Sequence, residues 1–156
     1  MFPLVIRRAA VGDAQTLSRI AWSAKAHWGY ALPQLQAWRA ELEISPASLQ
    51  WAPTFVGEIG GAVAGFYQLR LDTDPPLLDH LWVDPARMGL GLGSALVRHA
   101  LQLLAADGVA EMAIDADPHA EAFYLGLGAR RVGEIAAPLP GDAARVRPQL
   151  RLATLA

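Results

Sequence analysis

Leu77-Leu78-Asp79-His80-Leu81-Trp82-Val83-Asp84-Pro85-Ala86-Arg87-Met88-Gly89-Leu90-Gly91-Leu92-Gly93-Ser94, running on through Leu104, is the stretch whose reading decides the fold. Residues 77–83 are an apolar run that Pro85 must stop, because proline has no N–H to give to a strand ladder. Beyond it, Leu92, Leu96, Val97, Ala100, Leu101 and Leu104 recur at helical spacing. Between strand and helix lie Gly89, Gly91 and Gly93, which let a backbone approach a ligand without Cβ clashes. The first N–H groups of the following helix are unsatisfied and lie at the positive end of its dipole. Met88, Gly89, Leu90, Gly91, Leu92, Gly93 and Ser94 therefore read as an anion-binding loop, with a pyrophosphate as its natural guest.

The rest of the chain arranges itself around this loop. Met1-Phe2-Pro3-Leu4-Val5-Ile6-Arg7-Arg8 reads as a first strand. Asp13 is placed as the N-cap of a helix with Leu17, Ile20, Ala21 and Ala24 on its apolar side, and Pro33 as the start of a second helix ending near Ser45-Pro46. Residues 55–59 and 62–71 are strand-like and flank Gly60-Gly61, a two-residue hairpin signal. A strand is expected at 110–114, a short helix at 118–125, and strands at 130–135 and 145–152. The order β-α-α-β-β-β-α-β-α-β-β predicts an α/β (α+β) fold: a mixed, mostly antiparallel sheet with helices on both faces.

Composition narrows the function. At 156 residues and 53% hydrophobic, residues 1–156 read as a single domain with a proper core. A net charge of −2 argues against nucleic acid or an anionic membrane as partner, and the N-terminal stretch Met1–Arg8 is too short in apolar residues for a signal peptide or a membrane span. Absence of cysteine excludes disulfides, thiolate metal sites and a cysteine-linked acyl-enzyme, and fits a cytoplasmic location. His27, His80, His99 and His119 lack ligand spacing, so no metal is expected. A dinucleotide oxidoreductase would want Gly-x-Gly-x-x-Gly directly after the strand, and a serine hydrolase Gly-x-Ser-x-Gly; neither pattern is present around Ser94.

Two segments carry a family resemblance. Asp115-Ala116-Asp117-Pro118-His119-Ala120-Glu121-Ala122-Phe123-Tyr124, with Leu127 to Glu134, is similar to the last αβ unit of the GNAT superfamily of acyl-coenzyme A-dependent N-acyltransferases. The glycine loop resembles that family's motif Gln/Arg-x-x-Gly-x-Gly/Ala, with Met88 at the Gln/Arg position, Gly91 as the first glycine and Gly93 as the second. The departure at Met88 touches one side-chain contact, since backbone N–H groups hold most of the pyrophosphate in this family.

The resemblance implies a GNAT-like fold and a bacterial-type single-domain N-acetyltransferase. Its co-substrate would be acetyl-CoA, without a metal, and its acceptor a primary amine of a small molecule or peptide. A non-catalytic acyl-CoA-binding sensor with this fold is the alternative, and a homodimer is compatible with either. In the family's pattern the backbone of Leu81, Trp82 and Val83 would bind the pantetheine arm, His119 would stand where many members have an asparagine on that arm, and Tyr124 would protonate the departing thiolate. A general base is also required. Strand alternation puts Asp79 and His80 on opposite faces, so they are alternatives, Asp79 ranked first, with Glu58 acting through water as a third. His27, Trp28 and Tyr30, at the break between the first helices, are the acceptor-pocket candidates; Trp22 and Trp38 also fit the core.

Overall fold

The computed structural model describes residues 3–155; Met1 and Phe2, at the head of the expected first strand, lie outside them. Seven strands hydrogen-bond in the order β1-β2-β3-β4-β5-β7-β6: β1 Leu4–Arg8, β2 Thr54–Ile59, β3 Ala62–Arg70, β4 Leu77–Val83, β5 Glu111–Asp115, β6 Arg130–Ala136 and β7 Val146–Ala153. The chain divides into two compact units, one of the residues up to Leu69 with His80–Arg98, the other of Arg70–Asp79 with the residues from His99 onward.

In the first unit, β1 and β2 pair antiparallel from Leu4↔Ile59 to Arg8↔Phe55, and β2 turns into β3 through Gly60 and Gly61, whose φ of +62° and +81° meet the demand of a two-residue hairpin. Helix α1, Ala14–His27, buries Leu17, Ile20 and Ala21 against Val56, Phe66, Leu42, Ile44 and Leu49. Burial of the larger of these side chains, the leucines, isoleucines, Val56 and Phe66, supplies the unit's main cohesion, on the order of 1.5–3 kcal/mol each. On the opposite sheet face the first turn of α5, Leu92–Ala106, seats Leu92 over two glycines: a Cβ on Gly57 would lie 2.6 Å from Leu92 Cδ1, and one on Gly65 would lie 2.8 Å from the Trp82 carbonyl oxygen. Helix therefore lies on both faces here, as the sequence predicts.

Two local expectations are corrected, and one short helix is added. The helix expected from Pro33 to Ser45 is two short ones, α2 Leu32–Ala37 and α3 Arg39–Leu42, broken where Trp38 adopts φ −91°, ψ 1°. An unexpected turn, α4 Ser48–Trp51, follows, with Ser45 Oγ accepting the Ser48 N–H at 3.1 Å. Asp13 precedes α1 but does not cap it; its carboxylate accepts from the Ala10 N–H at 2.7 Å and from Arg7 Nη1 at 2.8 Å, closing the 3-10 turn Val11–Asp13.

In the second unit β7 lies antiparallel to both β5 and β6. Its buried Leu150 and Leu152 stand opposite Ile114 and Met112 of β5, which makes the inward row continuous across the pair. The start of β4 joins β5 in parallel through Leu77↔Ala113 and Leu78↔Ile114. Helix α6, Glu121–Gly126, follows a 3-10 turn at Pro118–Ala120, and β6 is exposed along its whole length.

Candidate active site

The loop after β4 is built by short-range bonds. Asp84 Oδ1 accepts the Ala86 N–H at 3.0 Å and the Asp84 carbonyl accepts the Arg87 N–H at 2.8 Å, so Pro85–Arg87 closes as a 3-10 turn. The backbone then takes φ +79° at Gly89 and +81° at Gly91, values that side chains rarely adopt, before α5 begins at Leu92. Nothing lies within 4 Å of where a Cβ would stand on either glycine. Their role is thus conformational rather than steric: they aim the backbone toward the helix N-terminus in an exposed loop. Met88 and Leu90 are exposed, Gly93 and Ser94 half-buried in the first turn of α5. Backbone N–H groups at a helix start suit a pyrophosphate.

Along β4, simple pleating holds for His80 and Trp82. The indole Nε1–H donates to His80 Nδ1 at 3.0 Å, and the imidazole stacks on Phe66 with centroids 6.3 Å apart. An accepting Nδ1 means that the neutral ring carries its proton on Nε2. In that arrangement His80 Nε2 is a donor. Asp79 is exposed, and Leu81 and Val83 are half-buried. Glu58 lies 3.3 Å from Arg7 Nε, in an ion pair.

Within the second unit, Asp117 caps the turn before α6 by accepting the His119 N–H at 2.8 Å, and the same oxygen is 2.9 Å from His119 Nδ1. His119 is exposed. Tyr124 is buried, and both desolvation, the larger cause, and the nearby Asp117 charge hold its phenol above the ordinary tyrosine range. It is therefore a protonated donor at any physiological pH. Asp117 was missed as an organising residue, although Asp-Pro before a short helix is a legible cap.

At the break after α1, His27 and Trp28 meet edge to face at 5.5 Å. Tyr30 instead packs edge-on to Trp38 at 4.9 Å, and the Lys25 ammonium lies 5.1 Å from the Tyr30 ring and 4.5 Å from the Trp38 ring. Trp22 and Trp38 are partly buried against the core. Among the described residues no group of three His, Cys, Asp or Glu side chains could hold a metal, and no helix is long and apolar enough to cross a membrane.

A sequence profile of the acetyltransferase (GNAT) family matches residues 15–129, which takes in all of α1 but its first residue, the glycine loop and α6. The chain belongs to the GNAT acetyltransferase family. Members of this family are acyltransferases. Among solved structures, the GNAT chain is similar to a GCN5-related N-acetyltransferase from Rhodopseudomonas palustris (TM-score 0.81, 21% identity, 98% of each chain covered). It also resembles the PaiA N-acetyltransferase from Thermoplasma acidophilum, solved in complex with coenzyme A (0.72, 15%, 97% and 99% covered). A third neighbour is the ribosomal-protein-S18-alanine N-acetyltransferase from Escherichia coli (0.73, 20%, 97% and 94%). At these identities the likeness is one of fold. No curated protein matches the sequence of this GNAT chain.

Proposed function

We propose that this GNAT chain transfers an acetyl group from acetyl-CoA directly to a primary amine of a small molecule or peptide. The observation that carries the reading is the loop at 88–94, where Gly89 and Gly91 at positive φ lead into the unsatisfied N–H groups of α5. The pyrophosphate of the co-substrate would lie there. The register of β4 with β5 is confined to Leu77 and Leu78, so that ladder makes no use of the backbone of Leu81, Trp82 and Val83, the groups assigned to the pantetheine arm. Solved structures of fold neighbours in complex with coenzyme A or acetyl-CoA support the same co-substrate.

In the reaction a neutral amine attacks the thioester carbonyl, the C–S bond breaks as the amide forms, and the thiolate leaves with a proton. Tyr124, kept protonated by burial, suits that last transfer. Asp79 is the better base, because His80 Nδ1 is committed to the Trp82 N–H and the neutral ring's Nε2 carries a proton. His119, paired with Asp117, would steady the cofactor arm, and His27, Trp28 and Tyr30 would line the acceptor side.

Incubation with acetyl-CoA and a panel of amines, amino acids and N-terminal peptides tests this by release of free thiol. Acceptor-dependent thiol is expected. Tight acetyl-CoA binding without thiol release across the panel would assign the chain instead to acyl-CoA sensing.

A further inference from the structure

The outer side of α1 forms one wall of a cleft of about 480 Å³, whose other wall is the segment after Trp38. Five α1 residues at positions 14, 15, 18, 19 and 22 face Arg39, Leu42, Glu43, Ile44 and Pro46. The volume lies within the range of small-ligand sites. Ser18 Oγ accepts the Ile44 N–H at 2.8 Å, a tertiary bond that ties the two walls at mid-cleft. Trp28 is six residues beyond Trp22, the last α1 residue of the cleft, or about 9 Å along a helix. None of His27, Trp28 and Tyr30 lines the cleft.

Its charges are arranged without internal neutralisation. Arg39 lies over the Trp22 ring with its guanidinium carbon 5.2 Å from the centroid, which orients the planar fork without using its N–H donors. Arg19 lines the same space, and Glu43 stands on the opposite wall from Arg19. Among the described residues neither arginine closes an ion pair, and neither does Glu43. The contrast with Arg7, Arg70, Arg130, Arg131, Arg147 and Arg151, each paired to a carboxylate, is direct. Two cations that cannot deprotonate and one carboxylate, all three exposed, line one space with the apolar side chains of Leu42 and Trp22, and that set of charges matches a small ligand carrying both a carboxylate and an ammonium.

We infer that the α1–α3 cleft is a second binding site, separate from the acyl-transfer site, for a free α-amino acid or an equivalent small zwitterion. The carboxylate is taken by Arg19 and Arg39 and the ammonium by Glu43. The inference does not depend on the acyl-transfer reading.

Calorimetric titration of the whole protein with the common α-amino acids, their amides and their deaminated acids tests it. At least one free amino acid should bind saturably, with the amide and the deaminated acid each about tenfold weaker or more, since each lacks one charge-assisted contact. Arg19→Ala, Arg39→Ala and Glu43→Gln should each weaken that binding by about the same factor, while the heat-stability gain from acetyl-CoA stays as in the unsubstituted protein. Arg39→Lys should fail to restore it, because a lysine lacks the fork that stacks on Trp22. No binding by the unsubstituted protein, equal binding of the deaminated acids, or unchanged binding in all three variants overturns the inference. Loss of acetyl-CoA binding alone would instead count against the acyl-transfer reading and leave this one standing.

Discussion

Tyr124 shows how one residue's surroundings set its chemistry. Burial penalises the phenolate, and the Asp117 charge adds to the penalty, so the hydroxyl stays protonated beyond the ordinary tyrosine range. The pH–rate profile should therefore show no alkaline limb that Tyr124→Phe removes below about pH 10. Tyr124→Phe should reduce turnover roughly ten- to a thousandfold with acetyl-CoA affinity near that of the unsubstituted chain; unaltered turnover would leave the phenol a packing group. Asp79→Asn should lose the acidic limb while His80→Gln keeps it, as the Trp82 to His80 bond requires. Asp13 works by the opposite sign. Its pKa is lowered, first by the hydrogen bond from Arg7, so its contribution is present above the unfolded carboxylate value near 4 and disappears as pH falls through the lower folded value. Asp13→Asn should cost about 1 kcal/mol at pH 7, discounted for the partly exposed Arg7, and the gap should close in strong acid. Denaturant melts at several pH values read this directly.

Elements are seated by what glycine leaves room for. On β3, a Cβ at Gly65 would meet the Trp82 carbonyl oxygen at 2.8 Å and the Val83 Cα at 3.3 Å, both backbone of β4. At Gly57 the 2.6 Å neighbour is the end of the Leu92 side chain, which can turn aside. Gly65→Ala should thus destabilise by about 2–3 kcal/mol or more and Gly57→Ala by about 1–2 kcal/mol. Equal costs would mean that α5, not β4, sets the spacing. The glycine loop was legible in the sequence because its requirement is local: Gly-x-Gly between a strand and a helix, with Asp84 and Pro85 turning the chain. The break at Trp38 was not, because nothing local demands it. Its ring is engaged by Tyr30 and Lys25 and by the core, and those long-range contacts outweigh the continuity that the pattern Leu35, Trp38, Leu42 suggests.

For the molecule as a whole, a ligand that binds the folded chain alone should raise its stability. Acetyl-CoA at a hundred times its dissociation constant would add about 2.7 kcal/mol, or roughly 5–10 °C in melting temperature, while NADH should add nothing. Gly91→Glu, which puts a negative charge and a strained φ into the loop, should abolish the acetyl-CoA shift with the fold intact; a retained shift would displace the pyrophosphate from 88–94. The sequence alone determined the order of elements, the Gly60-Gly61 hairpin, the strand–loop–helix unit and the family resemblance, because each is written in spacing over a few neighbouring residues. Only the tertiary structure decided that Asp13 serves Arg7 and Ala10 rather than α1, that Trp82 occupies a nitrogen of His80, that Tyr124 is buried beside Asp117, and that Arg19 and Arg39 share a cleft with Glu43. Those facts depend on which distant side chains the packed core brings within a few ångströms, and hydrophobic periodicity fixes which face is buried without fixing who stands opposite.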